Sequence, residues 1–114
     1  MKYVIYHNPR CRKSREVLKY LQDKKYDFEV RDYIKKLLSV EEMNELIKSL
    51  KIKPIELVRK NEPIWKENFK NKDLDDNQII EALSKYPKLI ERPIVTKDKS
   101  SIIARPIKKL LNIL

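Results

Sequence analysis

The sequence contains no glycine, and this absence limits which turns and binding sites its 114 residues can form. Loops that wrap phosphate groups require glycines at fixed positions, and so does the dinucleotide-binding fingerprint, so both are excluded. A binding site for an anion must therefore use side chains and the N-terminal ends of helices. Tight hairpin turns also favour glycine, so we expect the turn of any β-hairpin here to be longer than two residues.

The length and composition are typical of a single domain with one core. Hydrophobic residues make up 41% of the chain and charged residues 39%. No apolar run approaches the roughly 20 residues that a membrane-spanning helix needs, and the polar start of the chain is unlike a secretory signal. We therefore expect a cytoplasmic protein without a membrane partner. The single cysteine forms no internal disulfide, which suits the reducing conditions of that compartment.

The net charge of +10 raises the question of nucleic-acid binding. Of the 27 basic residues 20 are lysines, and they are spread along the chain among 17 acidic residues. No basic stripe with interleaved aromatic residues is present, which argues against a dedicated nucleic-acid surface. One cysteine and one histidine do not supply the usual ligands of a zinc site, so we expect neither a metal nor a bound cofactor.

The apolar pattern at the N-terminal end predicts a β-α-β unit. A short strand over residues 2–6 is followed by a turn at Pro9, a helix from Arg12 to about Lys24 and a second strand over residues 28–31. Strands joined by a helix of this length pair in parallel with a right-handed crossover.

The central residues, about 36–90, predict a helical insertion. A capping box at residues 39–42 opens a helix, and its predicted apolar face is Val40, Met43, Leu46, Ile47 and Leu50. Pro54 suits the start of a short helix, residues 63–69 predict another, and Asp75 or Asp76 would cap a helix that ends near Tyr86.

Two strands and a helix are predicted after the insertion. Residues 94–96 and 101–104 form a hairpin around the polar residues 97–100. Pro106 starts a closing helix whose inward residues are predicted to be Ile107, Leu110, Leu111 and Leu114. The order β-α-β, helices, β-β-α predicts an α/β protein of the thioredoxin-like plan, with a small mixed sheet and residues 1–114 in one domain.

Cys11 falls where the first strand gives way to the first helix. Free N–H groups and the positive end of the helix dipole face such a position, and four nearby basic residues add positive potential: Arg10, Arg12, Lys13 and Arg15. Both effects lower the pKa of a thiol, so we predict a reactive thiolate rather than a buried apolar side chain. Ser14 occupies the position of a second redox cysteine, and it either donates a hydrogen bond to the sulfur or caps the helix.

Two arginine-proline pairs flank the predicted hairpin. Arg92 precedes Pro93, which is the better candidate for a cis peptide bond, and Arg105 precedes Pro106, which suits a helix start. The planar guanidinium of arginine offers paired donors to a tetrahedral oxyanion and stays charged. The alternative is that both are surface arginines of a basic protein.

Four segments together resemble the glutaredoxin-linked arsenate reductase family. They are HNPRCRKSR at 7–15, ELVRK at 56–60, RPIV at 92–95 and RP at 105–106. The resemblance implies that Cys11 is the nucleophile, with supporting roles for His7 and Ser14. It also implies that Arg59, Arg92 and Arg105 bind the oxyanion.

The resemblance implies an arsenate reductase of the cytoplasm that uses glutathione as co-substrate and glutaredoxin as protein partner. Because the chain has no resolving cysteine, an external thiol has to complete the reaction. Two alternatives remain open from the residues: a glutathione-dependent thiol reductase acting on another substrate, and a redox-type transcription regulator that binds RNA polymerase. The Cys-x-x-Cys switch typical of such regulators is broken here by Ser14.

Overall fold

The computed structural model describes residues 2–114, and these form two compact units. One unit contains the chain up to Lys36 together with Arg92–Leu114, and the other is Leu37–Glu91. One domain with an insertion at about 36–90 stays a prediction.

The first unit is built on a four-stranded mixed sheet with the order β2-β1-β3-β4. The strands are Tyr3–His7 (β1), Phe28–Asp32 (β2), Ile94–Lys97 (β3) and Ser100–Ile103 (β4). Strands β1 and β2 are parallel because helix α1, Arg12–Asp23, returns the chain to the end of the sheet where β1 begins. Strand β3 is antiparallel to both β1 and β4. The predicted α/β class and thioredoxin-like plan are confirmed.

The core of this unit lies between the sheet and α1. Val17 and Leu21 are four residues apart on one face of α1, and both are fully buried together with Ile5 and Val95 of the sheet. Each such side chain contributes roughly 1.5–3 kcal/mol when fully buried. This packing fixes the start of α1 relative to the end of β1.

The hairpin turn is shorter than predicted. Lys97 pairs with Ser100, so only Asp98 and Lys99 form the turn, and the expectation of a longer one is wrong. Asp98 adopts the left-handed conformation with φ of 56°. Aspartate tolerates this region because its short side chain bonds locally to the backbone, so glycine is not required.

The C-terminal helix, Ile107–Asn112, is a 3₁₀ helix and not an α-helix. Leu110 is buried, whereas Leu111 is 65% exposed, so the prediction that Leu111 faces inward is wrong. A 3₁₀ helix has three residues per turn, which places Ile107, Leu110 and Ile113 on one face. Pro106 precedes the helix, and its peptide bond to Arg105 is cis, as is the predicted bond between Arg92 and Pro93.

The second unit contains three α-helices: Val40–Leu50 (α2), Pro63–Asn68 (α3) and Asp76–Lys85 (α4), with 3₁₀ helices at Pro54–Leu57 and Pro87–Leu89. The capping boxes of α2 and α4 begin at Ser39 and Asp75. The buried face of α2 starts at Met43, so Val40 in its first turn is 42% exposed, contrary to the prediction. Within residues 2–114 no helix has the length and apolar character needed to span a membrane.

Candidate active site

Cys11 is the N-cap residue of α1 and follows the turn that ends β1. Its N–H donates to the carbonyl of Asn8 at 3.0 Å, and its own carbonyl accepts from the N–H of Arg15 at 3.0 Å. The residue has an extended backbone and is 9% exposed. The sequence therefore predicted the position of the cysteine, at the mouth of the first helix, correctly.

The surroundings of Cys11 favour the thiolate. Burial acts to raise the pKa of the thiol, but the N–H of Ser14, the guanidinium of Arg92 and the N–H of Lys13 together lower this pKa below its ordinary value of 9.0. The first turn of α1 contains no acidic residue, so no side chain offsets the positive end of the helix dipole.

The positive charge that acts on the sulfur comes from Arg92, just before β3. Its guanidinium donates a hydrogen bond to Cys11 and also attracts the thiolate electrostatically. The sequence pointed instead to the four basic residues beside Cys11, all of which are exposed: Arg10, Arg12, Lys13 and Arg15. Strand pairing therefore indicates which side chain reaches the thiol better than distance along the chain does, because it places the end of β1 next to the start of β3.

Ser14 links the cysteine turn to the end of β1. Its hydroxyl lies 2.5 Å from Nδ1 of His7 and accepts a hydrogen bond from the N–H of Asn8 at 3.1 Å. The side-chain oxygen of Asn8 in turn accepts from the N–H of Arg10 at 3.0 Å. All three members of this network, His7, Asn8 and Ser14, are buried. The Ser14 hydroxyl thus holds the turn, and its backbone N–H acts on the thiol.

The surroundings of His7 favour its neutral form. Burial lowers its pKa, the carboxylate of Asp32 acts to raise it, and Arg15 acts to lower it further. Asp32 was not selected from the sequence, although the parallel pairing places it directly opposite His7 at the ends of β1 and β2. The predicted β-α-β unit was the signal that could have found it.

Arg15 also stabilises the turn between β1 and α1. Its Nη1 donates to the carbonyl of Pro9 at 2.9 Å. The turn between β1 and α1 is therefore held by Ser14 and Arg15, which are neighbours in the first turn of the helix.

Arg105 and Arg59 belong to other segments of the chain. Arg105 is an exposed residue between β4 and the C-terminal 3₁₀ helix. Arg59 belongs to the second unit, where its N–H donates to Leu89 at 2.7 Å and its Nη2 lies 3.9 Å from Glu62. Its Nη1 is buried and has no hydrogen-bond partner among the residues that the structure describes. His7, Cys11, Ser14 and Arg92 are brought together, and the oxyanion-binding roles of Arg59 and Arg105 stay predictions.

No metal site is evident in the part of the chain that the structure describes. Within residues 2–114, no three side chains of the types His, Cys, Asp and Glu come together in an arrangement that could hold a metal ion.

Comparison with known proteins identifies the family. The model described as ArsC family matches residues 6–113. The arsenate reductase of Haemophilus influenzae is 37% identical over 116 residues, covering 100% of both chains. A protein of Escherichia coli K12 named uncharacterized protein YfgD is 38% identical over 111 residues, covering 96% of this chain and 93% of that one.

Solved structures agree with the sequence relatives. The structure titled arsenate reductase from Vibrio cholerae superimposes with a TM-score of 0.94 at 38% identity, covering 100% of this chain and 98% of that one. The match therefore extends over both units and includes the cysteine turn. On these grounds the chain belongs to the ArsC family, which confirms the resemblance seen in its motifs.

Proposed function

We propose that this protein is an arsenate reductase in which Cys11 is the nucleophile and glutathione and glutaredoxin supply the reducing thiols. The observation that carries the proposal is the position of Cys11 at the N-cap of α1, between helix N–H groups and the Arg92 guanidinium, which lower the pKa of its thiol. Relatives named arsenate reductase, at 37% identity over the full chain in the case of Haemophilus influenzae, support arsenate as the substrate.

The first step joins sulfur to arsenic. The Cys11 thiolate attacks the arsenic of arsenate, a sulfur–arsenic bond forms, and one arsenic–oxygen bond breaks as that oxygen takes up protons and leaves as water. Arsenic stays in the +5 state. Arg92 contacts the sulfur, so its charge is available both to the thiolate before attack and to the oxyanion that arrives.

The second step transfers two electrons. The thiol of glutathione attacks the Cys11 sulfur, the two sulfurs form a mixed disulfide, and the electron pair of the sulfur–arsenic bond leaves with arsenic as arsenite. The thiolate of glutaredoxin then attacks the glutathione sulfur and releases Cys11. An external thiol is needed because the chain contains no second cysteine.

The remaining residues of the site position the nucleophile. Through its bonds to His7 and Asn8, Ser14 keeps the turn in the conformation that aims Cys11 at the helix N–H groups. We infer that Arg59 and Arg105 add donors to the oxyanion. For Arg59, a buried Nη1 without a partner among the described residues is consistent with a donor kept for a ligand.

A free thiol as the catalytic group is consistent with a reducing compartment. Since the single cysteine must be reduced after each turnover and glutathione is abundant in the cytoplasm, we infer a cytoplasmic location.

A coupled assay with arsenate, glutathione and glutaredoxin, read out as arsenite formed, tests the function. We expect turnover by the wild type and none above background by Cys11→Ser, with an unchanged circular dichroism spectrum. Substantial turnover by the serine variant would exclude Cys11 as the nucleophile. Failure of the folded wild type to form arsenite would exclude arsenate reduction.

A further inference from the structure

Three basic residues next to Cys11 in the chain have side chains that do not act on its thiol. We call Arg10, Arg12 and Lys13 the basic collar. The side chain of Arg12 is 84% exposed and that of Lys13 is 47% exposed, while Arg10 is exposed on the turn before the cysteine.

The collar is poorly neutralised by the protein itself. Arg12 and Lys13 both reach the same carboxylate, Glu16, at 3.6 and 3.9 Å. The guanidinium of Arg10 forms no ion pair within residues 2–114. One acidic group thus faces three basic ones, and exposed pairs of this length contribute little to stability. The positive charge of the collar is available to a partner.

The thiol does not account for the collar. The charge that lowers the pKa of Cys11 comes from Arg92 and from backbone N–H groups, and the side chains of Arg10 and Arg12 have no share in it. Both side chains are exposed, and in the chain they come directly before and after the one residue whose thiol must react with that of a partner.

Sulfur exchange requires close approach to this surface. The attacking thiolate and the Cys11 disulfide have to come within about 2 Å of each other as the new bond forms. Cys11 is 9% exposed, and the exposed collar residues are its neighbours in the chain. We therefore expect a protein that delivers its thiol to Cys11 to contact them.

We propose that the basic collar is the docking surface for a protein thiol reductant of the glutaredoxin class that presents acidic side chains around its reactive cysteine. This inference rests on the proposed function for the identity of the partner, and the collar determines how fast the partner arrives. Charges at the rim of an interface chiefly change the association rate and its salt dependence.

The test isolates the last step of the cycle. The substrate is the protein with Cys11 joined to glutathione as a mixed disulfide, and the measurement is its rate of reduction by glutaredoxin at a series of salt concentrations. In this step the glutaredoxin thiolate attacks the glutathione sulfur, a disulfide forms between glutaredoxin and glutathione, and Cys11 leaves as a thiolate. Neither arsenate nor the oxyanion site is involved.

The variant R10E/R12E reverses two charges of the collar. We expect its second-order rate with glutaredoxin to fall by about 10-fold or more at low salt, and the decrease of the wild-type rate with added salt to vanish or invert. Reduction by β-mercaptoethanol, a small thiol that carries no charge besides that of its attacking thiolate, should be slowed far less than reduction by glutaredoxin.

The variant K24E/K99E is the matched control. Both lysines are exposed, and they lie at the opposite end of the unit: Lys24 is the C-cap residue of α1, and Lys99 lies in the β3–β4 turn, two residues after Lys97, which pairs with Tyr3. It carries the same change in net charge and should react with glutaredoxin within about twofold of the wild type.

Three results would overturn the proposal: an unchanged glutaredoxin rate in R10E/R12E, an equal loss in K24E/K99E, or an equal loss with β-mercaptoethanol. The arsenite assay on the wild type is separate. If it fails while the collar result holds, the proposed function is wrong and the docking surface stands.

Discussion

At Cys11 two opposing effects meet on one sulfur atom. Burial disfavours the charged form, while two backbone N–H groups and one guanidinium favour it, and the second set is the stronger. The same partial burial keeps water away from the thiolate, so each of the favourable interactions is stronger than it would be on an exposed side chain. The reactivity of the cysteine therefore depends on donors held in place before any substrate arrives.

Replacing Arg92 tests the guanidinium contribution. In Arg92→Gln the pKa of Cys11 should rise, because burial of the thiol is then opposed by backbone N–H groups alone. The measurement is the pH dependence of the rate of alkylation by iodoacetamide. Arg105→Gln is the matched control, since Arg105 has no part in the shift, and its midpoint should match the wild type. Equal midpoints for Arg92→Gln and the wild type would contradict the assignment.

His7 predicts a pH dependence of stability. Its folded pKa lies below the ordinary value of 6.5, so the unfolded chain binds more protons near that pH, and the free energy of unfolding should decrease as the pH falls from 6.5 through the folded pKa. His7 is the only histidine in the chain.

The pH dependence of the free energy of unfolding is compared between Cys11→Ser and the double variant that also contains His7→Gln, because no thiol titrates in either protein. Urea unfolding between about pH 7 and pH 5 should show a flatter dependence once His7→Gln is added. A slope that survives this substitution would mean that another group is responsible.

At the scale of elements, local signals in the sequence predicted correctly where helices start. Which residues of a helix are buried was predicted less well, as Val40 and Leu111 show. The capping boxes at Ser39 and Asp75 place the starts of α2 and α4 because side chain and backbone bond within four residues. The helix type at the C-terminus was not predictable in this way. The same residues are compatible with an α-helix and with a 3₁₀ helix, so their pattern does not distinguish the two. In the structure this helix packs against β4 and α1.

Two neighbouring leucines distinguish these helix types. Leu110→Ala should lower the free energy of unfolding by about 2–5 kcal/mol because Leu110 is 1% exposed, whereas Leu111→Ala should change it by less than about 0.5 kcal/mol. Urea denaturation of both variants gives the comparison. Similar losses for the two would indicate that the last turn is α-helical and that Leu111 is packed.

At the scale of the molecule, the order of strands and helices in the sequence was enough to predict a mixed sheet and the parallel pair β1–β2. The same order placed the nucleophile at the mouth of α1. The sequence indicated Arg92 as a ligand of the oxyanion but not its action on the Cys11 thiol, and it did not indicate Asp32, which acts on His7. Both residues reach the site through strand pairing between distant segments. The positive charge predicted to act on the thiol was that of residues near Cys11 in the chain, such as Arg12, whereas the side chain that acts on it is Arg92.

The most direct measurement of the central claim is the ionisation of Cys11 in the folded wild-type protein. The ultraviolet absorbance of the thiolate, followed as a function of pH and corrected with Cys11→Ser, gives the pKa without any substrate. We expect a midpoint below the ordinary value of 9.0. A midpoint at or above that value would show that burial outweighs the helix N–H groups and Arg92, and the account of Cys11 as a preformed nucleophile would fail.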